Sequence, residues 1–330
     1  MVIKAFLFAS AALGLGAVLT GYGTDQRAGR AETAYPPIGD FVSVTGGQVH
    51  YVQEGRGPHV VLLHGAGGNL RDFTFDLMAR LSDRYTVTAF DRPGLGYTDR
   101  VPGGNSGPLA TAGDSPQDQA KMLREAASKL GIEQPIVVGH SFGGAVSYAW
   151  AVAGLDEENP ANASAVVSLA GVTMPWPGDL GRYYTVNGSA LGGLVTIPLI
   201  SAFAPQSAIA QSIAATFASQ SPPKDYVNYI GSDLTLRVET MRANIRQVNT
   251  LRPDMVDLSK RYPELTLPIE IVHGEADTTV PISVHAEEIE KILPQVNLVR
   301  LPGVGHMPHH AAPQITVDAI DRAAERAGLR

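Results

Sequence analysis

From residue 40 onward the chain alternates short apolar runs with longer stretches whose apolar residues recur every three or four positions. Phe41–Val44 and Gln48–Gln53 alternate apolar and polar residues about Gly46-Gly47, the pattern of an antiparallel hairpin. His59–Leu63 is a continuous apolar run, as expected of a parallel strand buried on both faces. Asn69–Arg84 places Phe73, Leu77, Met78 and Leu81 at helical spacing, and Tyr85–Phe90 reads as the next strand, ended by the turn Asp91–Gly96. Ser115, Pro116 and Asp118 form a capping box with proline at the first helical position and open a helix to about Leu130. Pro135–Val138, Val166–Leu169, Ile269–Val272 and Leu298–Leu301 read as further strands. Phe142–Ala153 and Ile315–Ala327 read as helices. Strands alternating with helices predict a mostly parallel sheet covered on both faces.

The rhythm breaks between Gly171 and about Pro253. That stretch is rich in Ala, Ser, Gly and Leu, carries scattered aromatics and holds no convincing strand. It predicts a mainly helical insertion, about residues 172–253, over the C-terminal edge of the sheet. Met174, Trp176, Tyr183 and Tyr184 in it either line a substrate pocket or pack the insertion's own small core, and the sequence leaves both open. The N-terminus also departs from the pattern. Lys4 precedes an apolar run, Ala5–Leu19, followed by a polar stretch with Asp25, Arg27 and Arg30. This reads as an export signal or a membrane anchor through residues about 4–20, although the run is shorter than the roughly 20 residues a spanning helix prefers. Residues 1–35 are therefore expected to be a leader and linker, the latter at Ala34–Gly39, and residues 36–330 the folded domain.

Composition narrows the function. The 330 residues are 44% hydrophobic and 17% charged, an ordinary globular balance, and a net charge of −7 gives no footprint for nucleic acid. With no cysteine, a Cys nucleophile, thiolate metal sites and a lipoprotein anchor are all excluded. The expected partner is a small-molecule substrate, with membrane association through the N-terminal segment. No metal or cofactor is expected, and the oligomeric state is not fixed by the sequence.

The chemistry concentrates in Gly139-His140-Ser141-Phe142-Gly143, a G-x-S-x-G pattern directly after an apolar strand and directly before a helix. A sharp turn there lifts the serine hydroxyl above the sheet, and glycines flank it because side chains would collide. The hydroxyl needs a base. Of nine histidines, His306 lies just past the last strand, where a loop returns over the sheet edge. His309 and His310 follow Pro308 and are expected to begin the last helix or face solvent. His64 and His140 are expected to shape loops. The imidazole needs a carboxylate to hold its tautomer and balance its charge. Asp277, after the strand ending at Gly274, is placed to reach it, with Glu275 the rival expected to be solvated. Oxyanion stabilisation would come from the backbone N–H groups of Phe142 and of Ala66, in the glycine-rich turn His64–Gly68.

His64-Gly65, Asp91–Gly96, Gly139–Gly144, His273–Asp277 and Gly305-His306 together resemble the ordered motifs of the α/β-hydrolase superfamily, over about residues 40–172 and 262–330. The resemblance implies a mostly parallel eight-stranded sheet with helices on both faces and a helical cap, and a Ser141–His306–Asp277 triad. It gives Asp91 a structural part near the site, and neither Asp91 nor Arg92 a catalytic role. Serine at the elbow excludes the alkyl-enzyme chemistry of epoxide hydrolases and haloalkane dehalogenases, which carry Asp there. The expected reaction is hydrolysis of a small to medium, fairly apolar carboxylic ester through an acyl-enzyme. C–C bond hydrolysis, lactone or amide cleavage, and a non-catalytic binding role remain alternatives, because fold does not fix substrate.

Overall fold

The computed structural model describes residues 2–104 and 106–330, with side chains for residue 14 and from residue 16 onward. Eight strands form one sheet: β1 (Asp40–Val44), β2 (Gly47–Gly55), β3 (His59–Leu63), β4 (Thr86–Phe90), β5 (Ile136–His140), β6 (Ala165–Leu169), β7 (Ile269–Gly274) and β8 (Val296–Leu301). Their order is β1-β2-β4-β3-β5-β6-β7-β8. The hairpin β1–β2 and the β2–β4 pair are antiparallel, and all other pairs are parallel. Because β3 lies between β4 and β5, the chain winds outward in opposite directions from it. Ligand sites in such sheets form in the crevice at that switch point, beyond the C-terminal strand ends.

The helices are α1 (Val2–Ala34), α2 (Arg71–Thr74), α3 (Leu77–Leu81), α4 (Pro116–Lys129), α5 (Phe142–Asp156), α6 (Arg182–Asn187), α7 (Ile197–Phe203), α8 (Gln206–Thr216), α9 (Tyr226–Tyr229), α10 (Val238–Ser259), α11 (Ala286–Ile292), α12 (Pro308–Ala311) and α13 (Pro313–Arg326). The pleat assigns alternate strand residues to opposite cores. Val61, Leu63, Val137 and Ile271 join α4, α5, α10 and α11 on one face. Val60, Leu62, Val138 and Val272 join α3 and α13 on the other. The Ser115 hydroxyl accepts from the Asp118 N–H at 3.1 Å, so the capping box forms as the sequence predicts.

Three elements differ from the sequence reading. Asn69–Arg84 is not one helix: α2 and α3 are separated by Phe75 and Asp76, the latter at φ −151°. Phe75 turns out to stack edge-on against Tyr226, Tyr229 and His310, a tertiary contact that outweighs helical continuity. The insertion between β6 and β7 is helical, but α10 runs straight through Pro253 to Ser259. Pro253 removes one helical N–H donor, yet buried Leu251, Met255 and Leu258 on either side of it pack into the main core. Finally, the polar stretch after Leu19 continues as part of α1, a helix of 33 residues, roughly 50 Å at 1.5 Å per residue. Arg27 on it donates to the carbonyls of Ser201 (2.8 Å) and Ala204 (2.6 Å), and Arg237 pairs with Glu32. Among the described residues no single helix is long and apolar enough to cross a membrane. Most of the apolar run Ala5–Leu19 falls on residues whose side chains lie outside the description.

Candidate active site

Ser141 is the hinge between β5 and α5, and its backbone is strained, at φ 53° and ψ −119°. L-residues seldom occupy that region unless the surroundings over-determine it. Here the Ser141 N–H donates to Leu169 O (3.1 Å), and its carbonyl accepts from Gly144 (2.9 Å) and Val172 (2.9 Å). The flanking glycines are obligatory: a Cβ on Gly139 would run into the Gly143 carbonyl, and one on Gly143 into that of Leu63. The sequence therefore lifts Ser141 by packing α5 directly over the strand ends.

His306 Nε2 lies 2.9 Å from Ser141 Oγ, and His306 Nδ1 lies 2.7 Å from Asp277 Oδ2. The three side chains come from the ends of β5, β7 and β8, and all are buried. The other Asp277 oxygen accepts from the N–H groups of Thr279 (2.8 Å) and Val280 (2.9 Å). Burial alone would raise the Asp277 carboxyl. Hydrogen bonds from His273 and His306 outweigh it and hold the group well below the usual carboxylate range. Glu275 is exposed.

The loop after β3 borders the same crevice, since a Cβ on Gly65 would come within 3.0 Å of Ser141 Cβ. Among the described residues the N–H groups of Ala66 and Phe142 have no hydrogen-bond acceptor. Four residues brace this loop: His64, which the sequence reading expected to shape loops, and Arg92, Asn244 and Thr235, whose bracing it did not anticipate. The fully buried Arg92 donates to His64 O (2.8 Å), Gly65 O (3.1 Å) and Gln119 Oε1 (2.7 Å), and its guanidinium stacks 4.2 Å over the Phe142 ring. Burial lowers its pKa to about 9. His64 Nε2 accepts from the Arg92 N–H at 2.9 Å, which leaves Nδ1 to donate to Gly65 O. From the insertion, Asn244 accepts from Gly67 N–H (2.6 Å) and Thr235 donates to Gly67 O (2.7 Å). Only contacts across more than a hundred residues reveal these last two.

His309 and His310 begin the short helix α12 but do not face solvent, contrary to one expectation. Their side chains are buried and meet Asp72 at 3.2 and 2.8 Å. The four insertion residues that the sequence left open between pocket and core scatter. Met174 and Trp176 pack against the main core, Tyr184 against the insertion's own core of Ile197, Leu236, Met241 and Ile245, and Tyr183 is exposed. A cavity of about 1190 Å³ opens elsewhere, along the seam between α1, the Gly94–Arg100 turn and insertion residues such as Leu194, Pro198 and Arg237. It touches none of Ser141, Asp277 and His306.

Residues 60–319 match the sequence profile of the alpha/beta hydrolase family. The chain belongs to that family. Curated relatives of this alpha/beta hydrolase include an uncharacterized protein of Mycobacterium tuberculosis (strain ATCC 25618 / H37Rv), 28% identical over 297 residues, or 87% of this chain and 81% of the relative. The 2-(acetamidomethylene)succinate hydrolase of Mesorhizobium japonicum is 28% identical over 276 residues, 81% of this chain and 88% of that one. Among solved structures, a bacterial membrane phospholipase A is 18% identical, with a TM-score of 0.66 over 99% of this chain and 98% of that chain. That alignment takes in α1 as well as the sheet.

Proposed function

We propose that this hydrolase cleaves a fairly apolar carboxylic ester through an acyl-enzyme on Ser141. His306 takes the hydroxyl proton as Ser141 attacks the carbonyl carbon and returns it to the leaving alcohol. Water then attacks the acyl carbon with His306 again as base, releasing the acid. Asp277 fixes His306 with Nδ1–H and balances the imidazolium. The N–H groups of Phe142 and Ala66 stabilise the oxyanion. The observation that carries the reading is the continuous 2.9 and 2.7 Å relay on a strained serine elbow.

In this reading the helical insertion is a cap over the crevice, and α1 holds the enzyme at a membrane. One observation favours a lipid-like ester over a short one. Leu191, Leu194, Val195, Leu199 and Phe203 on the insertion are exposed, and the last four belong to segments packed near α1, so apolar surface lies beside the proposed anchor. Hydrolysis of p-nitrophenyl esters from acetate to palmitate tests both statements. Wild type should hydrolyse the series, with Ser141→Ala lower in kcat by about 10⁶. A Ser141→Ala protein that kept its activity would overturn the mechanism. A preference confined to acetate would leave the short-ester reading in place of the lipid one.

A further inference from the structure

Behind Ser141 and His306 lies a second polar cluster that hydrolysis does not use. Asp72 on α2, His140 at the end of β5 and His309 on α12 are all buried, at 3%, 4% and 1% exposure. Asp72 Oδ1 accepts from the Tyr226 hydroxyl (2.7 Å) and His310 Nε2 (2.8 Å). Its Oδ2 faces His309 Nε2 at 3.2 Å and His140 Nδ1 at 3.9 Å.

The His140 ring is fixed by its other nitrogen. Nε2 lies 2.9 Å from the His306 carbonyl oxygen, which can only accept, so Nε2 carries the hydrogen. In the neutral ring the other nitrogen, Nδ1, is then a lone pair. It is buried with no hydrogen-bond partner among the described residues, and it faces a carboxylate oxygen. Nδ1 and the Asp72 oxygen thus face each other at 3.9 Å, too far apart for a hydrogen bond, and that gap is where a cation fits.

We propose that Asp72 Oδ2, His140 Nδ1 and His309 Nε2 form a binding site for one divalent metal ion, with Zn²⁺ the best chemical fit. One ligand atom from each of Asp72, His140 and His309 already lies within 4.8 Å of the others. Small side-chain shifts bring each to the roughly 2.0–2.2 Å that zinc takes from imidazole and carboxylate. Two imidazoles and one carboxylate suit zinc better than the all-oxygen preference of Mg²⁺ or Ca²⁺. The outer contacts match as well. A metal-bound imidazole commonly donates its far N–H to a backbone carbonyl, as His140 does to His306, and Tyr226 and His310 orient the carboxylate. On binding, the His309 proton moves from Nε2 to Nδ1 or is released to solvent. The ion would be structural. It would tie α2, the serine elbow and the loop bearing His306 together at one point, while the ester chemistry proceeds without it.

Untagged protein dialysed against a chelator and then titrated with ZnCl₂ tests the site, read by metal content after desalting, melting temperature and the visible spectrum of the Co²⁺-loaded form. Wild type should retain one zinc per chain, melt several degrees higher with zinc, and show the d–d bands of nitrogen–oxygen ligation with cobalt. His309→Gln can still donate to Asp72. It should melt like chelated wild type and lose all three responses. Wild type that retains no stoichiometric zinc would overturn the site and leave a bridging water between His140 and Asp72. Equal zinc retention by His309→Gln would also overturn it.

Discussion

At the scale of single residues, the geometry separates side chains that meet the reacting atoms from those that position them. In the proposed mechanism Asp277 does not touch the substrate carbonyl, but it fixes which nitrogen of His306 bears the proton. Asp277→Asn should lower kcat by about 10⁴ through the wrong tautomer, while Glu275→Gln, exposed and unpaired with His306, should be neutral. Arg92 acts one step further out, through two carbonyls of the loop carrying Ala66. Arg92→Lys keeps the charge and loses the fork, so the loop loses a support. We expect kcat to fall roughly 10- to 100-fold, as small misplacements of catalytic groups do, with KM little changed. A KM effect with kcat intact would mean that Arg92 shapes the binding pocket instead. The sequence singled out Ser141, His306 and Asp277 because each stands just past an apolar strand. It gave Arg92 no catalytic role and said nothing of Gln119 and Asn244, because the contacts that place these three beside the loop form only on folding.

At the scale of elements, local pattern succeeds where one element faces one core and fails where two compete. The strands were readable because β3 to β7 are buried on both faces, which makes each a near-continuous apolar run. Phe73, Leu77, Met78 and Leu81 were correctly read as one buried face. The break at Phe75 was not, because it depends on Tyr226 and Tyr229, about 150 residues away. Pro253 likewise marks the end of the insertion in the sequence, whereas α10 continues through it with Leu251, Met255 and Leu258 anchored on both sides. The insertion also reaches the loop beside Ser141. Asn244 on α10 holds Gly67 beside the proposed oxyanion position. Asn244→Ala should reduce kcat/KM roughly tenfold for short and long esters alike, the size expected from loosening one loop contact near catalysis. A change confined to long esters would make Asn244 a selectivity residue rather than a brace.

At the scale of the molecule, the sheet's switch point gathers four strand ends, from β3, β5, β7 and β8, and the helices on both faces make that crevice rigid but acid-sensitive. Burial lowers His64 and His285 from 6.5 to about 4. Between those values the unfolded chain binds protons that the folded chain refuses, so stability is present above pH 6.5 and is lost as the pH falls towards 4. Each histidine contributes about 2 kcal/mol to the loss at pH 5. Denaturant titrations at pH 7 and pH 5 should show it, and His285→Asn, which keeps an acceptor for the Thr173 and Met174 N–H groups, should remove its share. The same architecture makes one hydroxyl unlike every other serine or threonine in the chain, because Ser141 alone is poised on the His306–Asp277 relay beside unpaired N–H groups. Labelling with a fluorophosphonate, followed by intact-mass analysis and peptide mapping, tests this most directly. The account predicts one adduct per chain, on Ser141, absent in Ser141→Ala and strongly slowed in His306→Ala; label on a different residue, or an unlabelled Ser141 in protein that hydrolyses esters, would contradict it.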